Sequence, residues 1–407
     1  MTYAELGALY PDSGGPYVYL REAYGEGPAF VFGWTFFWII SGGGVAALAM
    51  GFAEYFGALI PAFAPFSGWL DVRFAGIGLA VGPGHLIAVA SILGLSALNA
   101  VGLRQGARFQ SLMTVLRLAA LSGFVVLGLA AAGRAGLRRL APLFPQGSWP
   151  PWTVFGAAFL AVIWSYDGWY AVNCTAEEVR RPERTIPLSL VSGAVAVAGL
   201  YLAANIVYSM ALSVNDMRGV VRIGFEAGKA LFGPSAAAWF TAFVAAAILG
   251  CLSANILFCP RVAFAMSRDG VFFRSLGRIH PRFGVPSRAI MAQGAWAALL
   301  CFTGTYGALI ELVSFALVLF FAATGTALFV LRRKRPDALR PFRAWGYPVL
   351  PGLFIVANAA IFAAVVASRP TAALAGFGLI LTGLPVYVLW RKVRPGSPGA
   401  PREGRPA

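Results

Sequence analysis

From Trp164 to Val179 the chain reads WSYDGWYAVNCTAEEV. This stretch lies inside a long apolar segment and puts Asp167, between Tyr166 and Gly168, roughly where a bilayer centre should fall. An acid inside a membrane is costly unless it is paired or protonated, and it marks a functional position by default. Two plainer roles compete with that one: Asp167 caps a second half-helix, or it pairs with an arginine. Gly168 next to a charge is also a poor place for continuous helical hydrogen bonding, so a break in the helix is expected here. Broken membrane helices expose carbonyls and half-helix ends that can hold the ammonium and carboxylate of a small zwitterion.

The composition supports the membrane reading. Of 407 residues, 59% are hydrophobic and only 12% charged, and the mean hydropathy is +0.73; soluble domains carry about a quarter charged residues. Apolar runs of spanning length fall at about 28–59, 84–103, 109–132, 152–174, 188–212, 235–266, 289–305, 310–331, 349–367 and 372–390. They predict an all-α polytopic membrane protein with about ten full transmembrane helices, since lipid offers backbone groups no other partner. One membrane domain is expected over 1–394, followed by a disordered tail at 395–407 that is rich in Pro and Gly and has no apolar face.

The net charge of +16 raises the question of nucleic acid. Its distribution answers against it, because the basic clusters are short and sit between apolar runs, with no zinc or RNA-binding signature. Of the 32 Lys and Arg residues, 23 fall in one alternate set of loops and 8 in the other, while Arg117 alone lies within a span. The positive-inside rule then places the start and the tail in the cytoplasm. The four cysteines lack metal-ligand spacing and read as small buried side chains; His85 and His280 are isolated and read as structural. Neither a catalytic constellation nor a nucleotide loop is present, so an enzyme is disfavoured, and no metal or cofactor is expected.

Four stretches, in order, carry a resemblance to a known family. WSYDGWYAVNCTAEEVRRPERTIPLSL, from Trp164 to Leu190, resembles the sixth-helix region of the LAT-type amino acid permeases of the amino acid-polyamine-organocation superfamily. MTYAELGALYPDSGGPYVYLREAYG, from Met1 to Gly25, is similar to the end of that family's second helix and its first cytoplasmic loop. CPRVAFAMSRDGVFFRSLGRIHPRFGVPSRA, from Cys259 to Ala289, resembles the end of helix eight and the loop to helix nine; RRKRPDALRPFRAWGYPVLP, from Arg332 to Pro351, fits the loop after helix ten.

The resemblance implies a five-plus-five inverted repeat with two extra helices, in which broken helices one and six form the substrate site. It implies that backbone carbonyls near Ile163, Trp164, Ser165 and Asp167 receive a substrate amino group, with Tyr166 and Gly168 in the same segment and Trp164 as a gate. By packing statistics alone, Trp164, Tyr166 and Trp169 read as ordinary aromatic contacts. Arg117 in TVLRLAAL matches a helix-five position that commonly carries lysine in the family. This implies a coupling role, a fixed cation standing where related transporters use sodium; snorkelling toward an interface is its plain alternative. An arginine there hardly deprotonates, which argues against a proton shuttle.

Function follows as an expectation: secondary transport of amino acids, as exchanger or symporter, across a cytoplasmic membrane by alternating access, with a small amino acid and the bilayer as partners and no accessory subunit identified. The family's helix one and most of helix two have no counterpart in this sequence. The alternatives expected on that ground are a start further upstream, or a truncated, non-transporting fragment or membrane scaffold. Two loop motifs read as structural: Glu177 and Glu178 pairing with Arg180, Arg181 and Arg184 between helices stopped by Pro182 and Pro187, and Gly14 and Gly15 making a tight turn.

Overall fold

The computed structural model describes residues 1–66, 68–74, 77–141, 152–220, 222–303, 306–368 and 370–393. The expected tail at 395–407 lies outside them. Two short helices come first, α1 (Thr2–Leu9) and α2 (Pro16–Tyr24). The first long rod is α3 (Glu26–Thr35), a π-helical turn (Phe36–Ser41) and α4 (Gly42–Leu59). A hairpin follows, β1 (Leu70–Phe74) and β2 (Ile77–Val81), paired antiparallel with Leu70 opposite Val81 and Phe74 opposite Ile77. It lies between two spans and was not foreseen from the apolar runs.

The chain continues through α5 (Pro83–Ala100), α6 (Leu103–Arg139), α7 (Trp152–Tyr166), the one-turn α8 (Ala171–Cys174) and α9 (Pro182–Ala211). Helices α10 (Val214–Met217) and α11 (Ile223–Phe232) lead into α12 (Pro234–Phe258) and α13 (Pro260–Arg268). The last are α14 (Ser287–Leu300), α15 (Tyr306–Lys334), α16 (Val349–Ser368), α17 (Pro370–Leu381) and α18 (Gly383–Val393).

Among the described residues, eight helical segments are long and apolar enough to cross a membrane. The other two expected spans are represented by α7, of 15 residues, and α14, of 14. Helix α7 is short because it stops at the expected break; α14 gives way to turns at Cys301–Thr303. The rod from Glu26 to Leu59 is the central post, 83% buried over its most apolar window, whereas the windows of α6 and α9 are 17% buried and turn their apolar sides outward. For a chain of this composition that outward surface faces lipid.

Burial divides into two large clusters. One gathers Tyr3, Tyr17, Phe30, Phe36, Met266, Phe272, Val313 and Phe321 around α1 to α3, α13 and α15. The second gathers Val45, Ala49, Ile92, Leu252, Ile256, Ile290 and Ala297 where α4, α5, α12 and α14 meet. The π turn belongs to this packing. A π turn shifts the helical ladder by one residue and leaves carbonyls over. Those of Phe37 and Trp38 are taken by Gln293 Nε2 at 3.1 Å and Trp296 Nε1 at 2.9 Å, both from α14. Gly42 permits the approach, since a Cβ there would sit 2.5 Å from the Trp296 ring.

Three of the cysteines are buried, as expected, and all four are free. His85 is structural: its ring stacks on Phe302 at 5.4 Å and meets Phe66 edge-on at 5.2 Å, while Nδ1 accepts the Gly82 amide. Pro182 opens α9, but Pro187 lies inside that helix instead of ending one. So close to the helix start its missing N–H costs a single backbone bond.

At one end of the bundle Glu5, fully buried, accepts from Arg332 at 2.6 and 3.0 Å and from the Ala344 amide at 2.7 Å, with Arg340 Nε at 3.3 Å. This carboxylate ties α1 to the end of α15 and the loop beyond. Replacing one member of a buried ionic cluster strands the others, at a cost of about 3 kcal/mol where one arginine keeps some solvent. Glu5→Gln is therefore expected to lower the thermal unfolding midpoint in detergent markedly. Arg335→Gln breaks the half-exposed Glu22 pair and a contact of the guanidinium with the Tyr10 ring at 5.7 Å and is expected to cost about 1 kcal/mol or less; equal effects of the two substitutions would refute this ranking.

Candidate functional site

Helix α7 ends at Tyr166 because the next two residues leave helical geometry. The Asp167 amide bonds to the Trp164 carbonyl at 3.2 Å, and Gly168 adopts φ +94°, which a side chain would strain. The chain then re-enters a helix with the Ala171 amide on the Gly168 carbonyl at 3.0 Å, and α8 completes one turn before Thr175. Each polar group released by this break needs a partner, since lipid supplies none.

The partners come from distant parts of the sequence. Tyr201 of α9 donates its hydroxyl to the Ser165 carbonyl at 3.1 Å, and its ring packs edge-on against Tyr166 with centroids 4.9 Å apart. The Gly14 amide donates to the Cys174 carbonyl at 3.0 Å, and Asn173 Nδ2 to the Tyr3 carbonyl at 3.2 Å. The turn at Gly14 and Gly15, with φ of +109° and +49°, is thus packed on α8, where a Cβ on Gly15 would lie 3.1 Å from backbone atoms of Asn173 and Cys174. This is the structural role read for it from the sequence.

Asp167 is turned inward. Its Oδ1 is buried with no hydrogen-bond partner, and the Gly168 amide lies against the carboxylate. The phenols of Tyr3 and Tyr170 and the Cys259 thiol are within its electrostatic reach. Among the described residues no arginine is paired with it. Around it Tyr3 meets Trp169 edge-on at 4.6 Å and Phe321 at 6.2 Å, and Trp169 and Tyr170 each lie 5.6 Å from Phe321. Trp169 and Tyr170 are therefore members of an aromatic wall. Trp164 and Ile163 are half-buried, and Trp164 touches both large core clusters, while Ser165 and Tyr166 face outward.

Arg117 on α6 does not run toward an interface. It donates to Cys251 Sγ of α12 at 2.9 Å and to Thr114 Oγ1 at 3.3 Å, and it shares a neighbourhood with Tyr201. Its guanidinium is thus held between α6 and α12. Sequence reading overlooked Tyr201, Tyr3 and Cys251, since nothing in their local sequence distinguishes them from core residues of their helices.

Below the break is an ionic end to the bundle. Arg261 of α13, fully buried, forks onto Glu178 with 3.0 and 3.2 Å bonds, and Arg268 takes Glu177 at 2.9 Å, which also accepts from Ser13 at 3.0 Å. Arg21 pairs with Asp269, to which Tyr17 donates at 3.0 Å. The sequence reading paired Glu177 and Glu178 with Arg180, Arg181 and Arg184. The structure corrects that: the partners are Arg268 and Arg261, because the chain between Ala176 and Pro182 turns its carboxylates toward α13. No group of three or more potential metal ligands is found among the described residues.

Comparison with known proteins adds to the geometry. A family model described as amino acid permease matches residues 1–390. The chain is 28% identical over 398 residues to the serine/threonine exchanger SteT of Bacillus subtilis (strain 168), covering 96% of this chain and 85% of the relative. It is 28% identical over 392 residues to the human b(0,+)-type amino acid transporter 1, covering 96% and 77%, and 28% identical over 396 residues to the human cystine/glutamate transporter, covering 96% and 75%.

If the break depends on the backbone of Gly168, Gly168→Ala is expected to cost about 1–3 kcal/mol from strain alone, since no neighbour would touch the added Cβ. Gly123, in the interior of α6 and equally open, is the control: its replacement by alanine is expected to be neutral or stabilising by up to about 1 kcal/mol. Thermal unfolding of both variants side by side reads the difference.

Proposed function

Since the chain belongs to the amino acid permease family, we propose that it exchanges small neutral amino acids across a cytoplasmic membrane by alternating access around the break at Asp167 and Gly168. It is a carrier and not an enzyme. The observation that carries the proposal is the interrupted helix: α7 ends among polar groups that a closed helix would have used internally. In this reading the carbonyls near Ile163, Trp164, Ser165 and Asp167 receive the substrate's ammonium, with Tyr166 and Gly168 shaping the segment and Trp164 gating it. An ammonium brings three donors and suits a set of carbonyls at the negative end of a helix dipole.

Arg117 is read as the coupling residue, its guanidinium fixed between α6 and α12 by Cys251. The ionic end formed by Arg21, Asp269, Arg261, Glu178, Arg268 and Glu177 is read as the cytoplasmic gate, closed in this conformation, and the asymmetry of Lys and Arg between loops supports that orientation. Exchange is favoured by the likeness to the Bacillus subtilis relative, a serine/threonine exchanger. Among the described residues Asp167 is the one acid at the break, too little negative charge for a polyamine, which argues for zwitterions.

The test is counterflow in proteoliposomes loaded with unlabelled L-serine, with labelled L-serine outside. Saturable accumulation is expected, with competition by small neutral amino acids and none by putrescine. Strong competition by putrescine, or accumulation equal to that of protein-free vesicles, would overturn the reading.

A further inference from the structure

Because folding gives Glu177 and Glu178 to the arginines of α13, the arginines next to them in sequence are left over. Among the described residues neither Arg181 nor Arg184 forms an ion pair. With Glu183 and Pro341 they line an open cleft of about 520 Å³ between the start of α9 and the loop after α15. Small-ligand sites measure roughly 300–1,000 Å³. Two guanidiniums against one carboxylate leave one positive charge over, which suits a ligand carrying a single negative charge. Arg181 is also the one non-glycine residue at positive φ among those described, at +50°, a conformation its β-carbon disfavours.

The cleft stands at the end of a lipid-facing stripe. Leu188, Val195 and Leu202 follow Arg184 at i+4, i+11 and i+18, within about 40° of one face of α9. They are 69%, 69% and 65% exposed. At 1.5 Å per residue, Arg184 to Val195 spans about 17 Å, close to half of a roughly 30 Å hydrocarbon core. On the loop that supplies Pro341, Trp345 is 63% exposed, as a residue at the level of the headgroups would be. We propose that the cleft binds an anionic phospholipid, its phosphodiester on Arg181 and Arg184 and one acyl chain along Leu188 and Val195. Guanidiniums suit phosphate oxygens, with which they form paired charge-assisted hydrogen bonds. The apolar stripe that begins one turn beyond them selects an amphiphile over a soluble anion.

The experiment is native mass spectrometry of the full chain in an uncharged detergent, titrated with phosphatidylglycerol, phosphatidylcholine or inorganic phosphate. Phosphatidylglycerol is expected to bind at least tenfold more tightly than phosphatidylcholine. Arg184→Gln and Arg181→Gly are each expected to weaken it about tenfold, the worth of one charge-assisted hydrogen bond. Glycine at position 181 also relieves the positive φ, so the lipid-free unfolding midpoint is expected to hold or rise while lipid affinity falls; a merely structural arginine would leave affinity unmoved. Arg333→Gln removes the same charge from the exposed end of α15, outside the cleft, and is expected to change affinity less than about twofold at physiological salt. Equal losses in Arg333→Gln and Arg184→Gln, or equal binding of the two lipids, overturn the proposal. Displacement of phosphatidylglycerol by inorganic phosphate at matched concentration would assign the cleft to a free anion and overturn the lipid. Should Arg184→Gln fail to fold, Arg181→Gly decides.

Discussion

A helix interrupted inside a membrane must find protein partners for every backbone group it releases, and the arrangement around α7 and α8 follows from that constraint. Water would satisfy those groups at no structural expense; hydrocarbon cannot. The break at Asp167 and Gly168 is therefore flanked by donors from α9 and the Gly14 turn, which meet the Ser165 and Cys174 carbonyls, and by the Tyr3 carbonyl of α1, which accepts from the Asn173 side chain. The same demand is met at the π turn of the central rod, where two side chains of α14 reach the spare carbonyls. In both places irregular backbone is tolerated because a packed neighbour closes the hydrogen bonding.

Charge is distributed by a related rule. Arg261 and Glu5 are fully buried, yet each is matched by a bidentate or multiple partner, so neither leaves an unbalanced ion. Such pairs contribute little net stability when complete, and their loss is costly. Asp167 departs from this rule. Its buried Oδ1 has no hydrogen-bond partner among the described residues.

Much of this architecture follows from local pattern. Apolar runs, proline and glycine positions and the loop asymmetry in Lys and Arg are properties of short windows, and lipid removes most alternatives to helix for such windows. The stop of α7 was legible for the same reason, because glycine beside an acid weakens a helix wherever it stands. The hairpin at Leu70–Val81 was not legible from the apolar runs, since its pairing depends on register and not on hydropathy. Nor was Pro187's place inside α9, because a proline near a helix start has almost the same local signature as one at its boundary.

The sequence by itself determined that this is an all-α membrane bundle, that its sixth-helix region breaks at Asp167 and Gly168, and that Arg117 sits within a span. Only the tertiary structure decided what those residues face. Glu177 and Glu178 have arginines within a few positions, but the turn between α8 and α9 aims them at Arg268 and Arg261, some ninety residues on. Tyr201 reads as one more aromatic of an apolar helix until folding sets its hydroxyl on the Ser165 carbonyl. The physical reason is common to both cases: secondary structure in lipid is dictated by backbone bonding within a segment, whereas the partner of a polar side chain is fixed by how separate helices pack, which no single segment encodes.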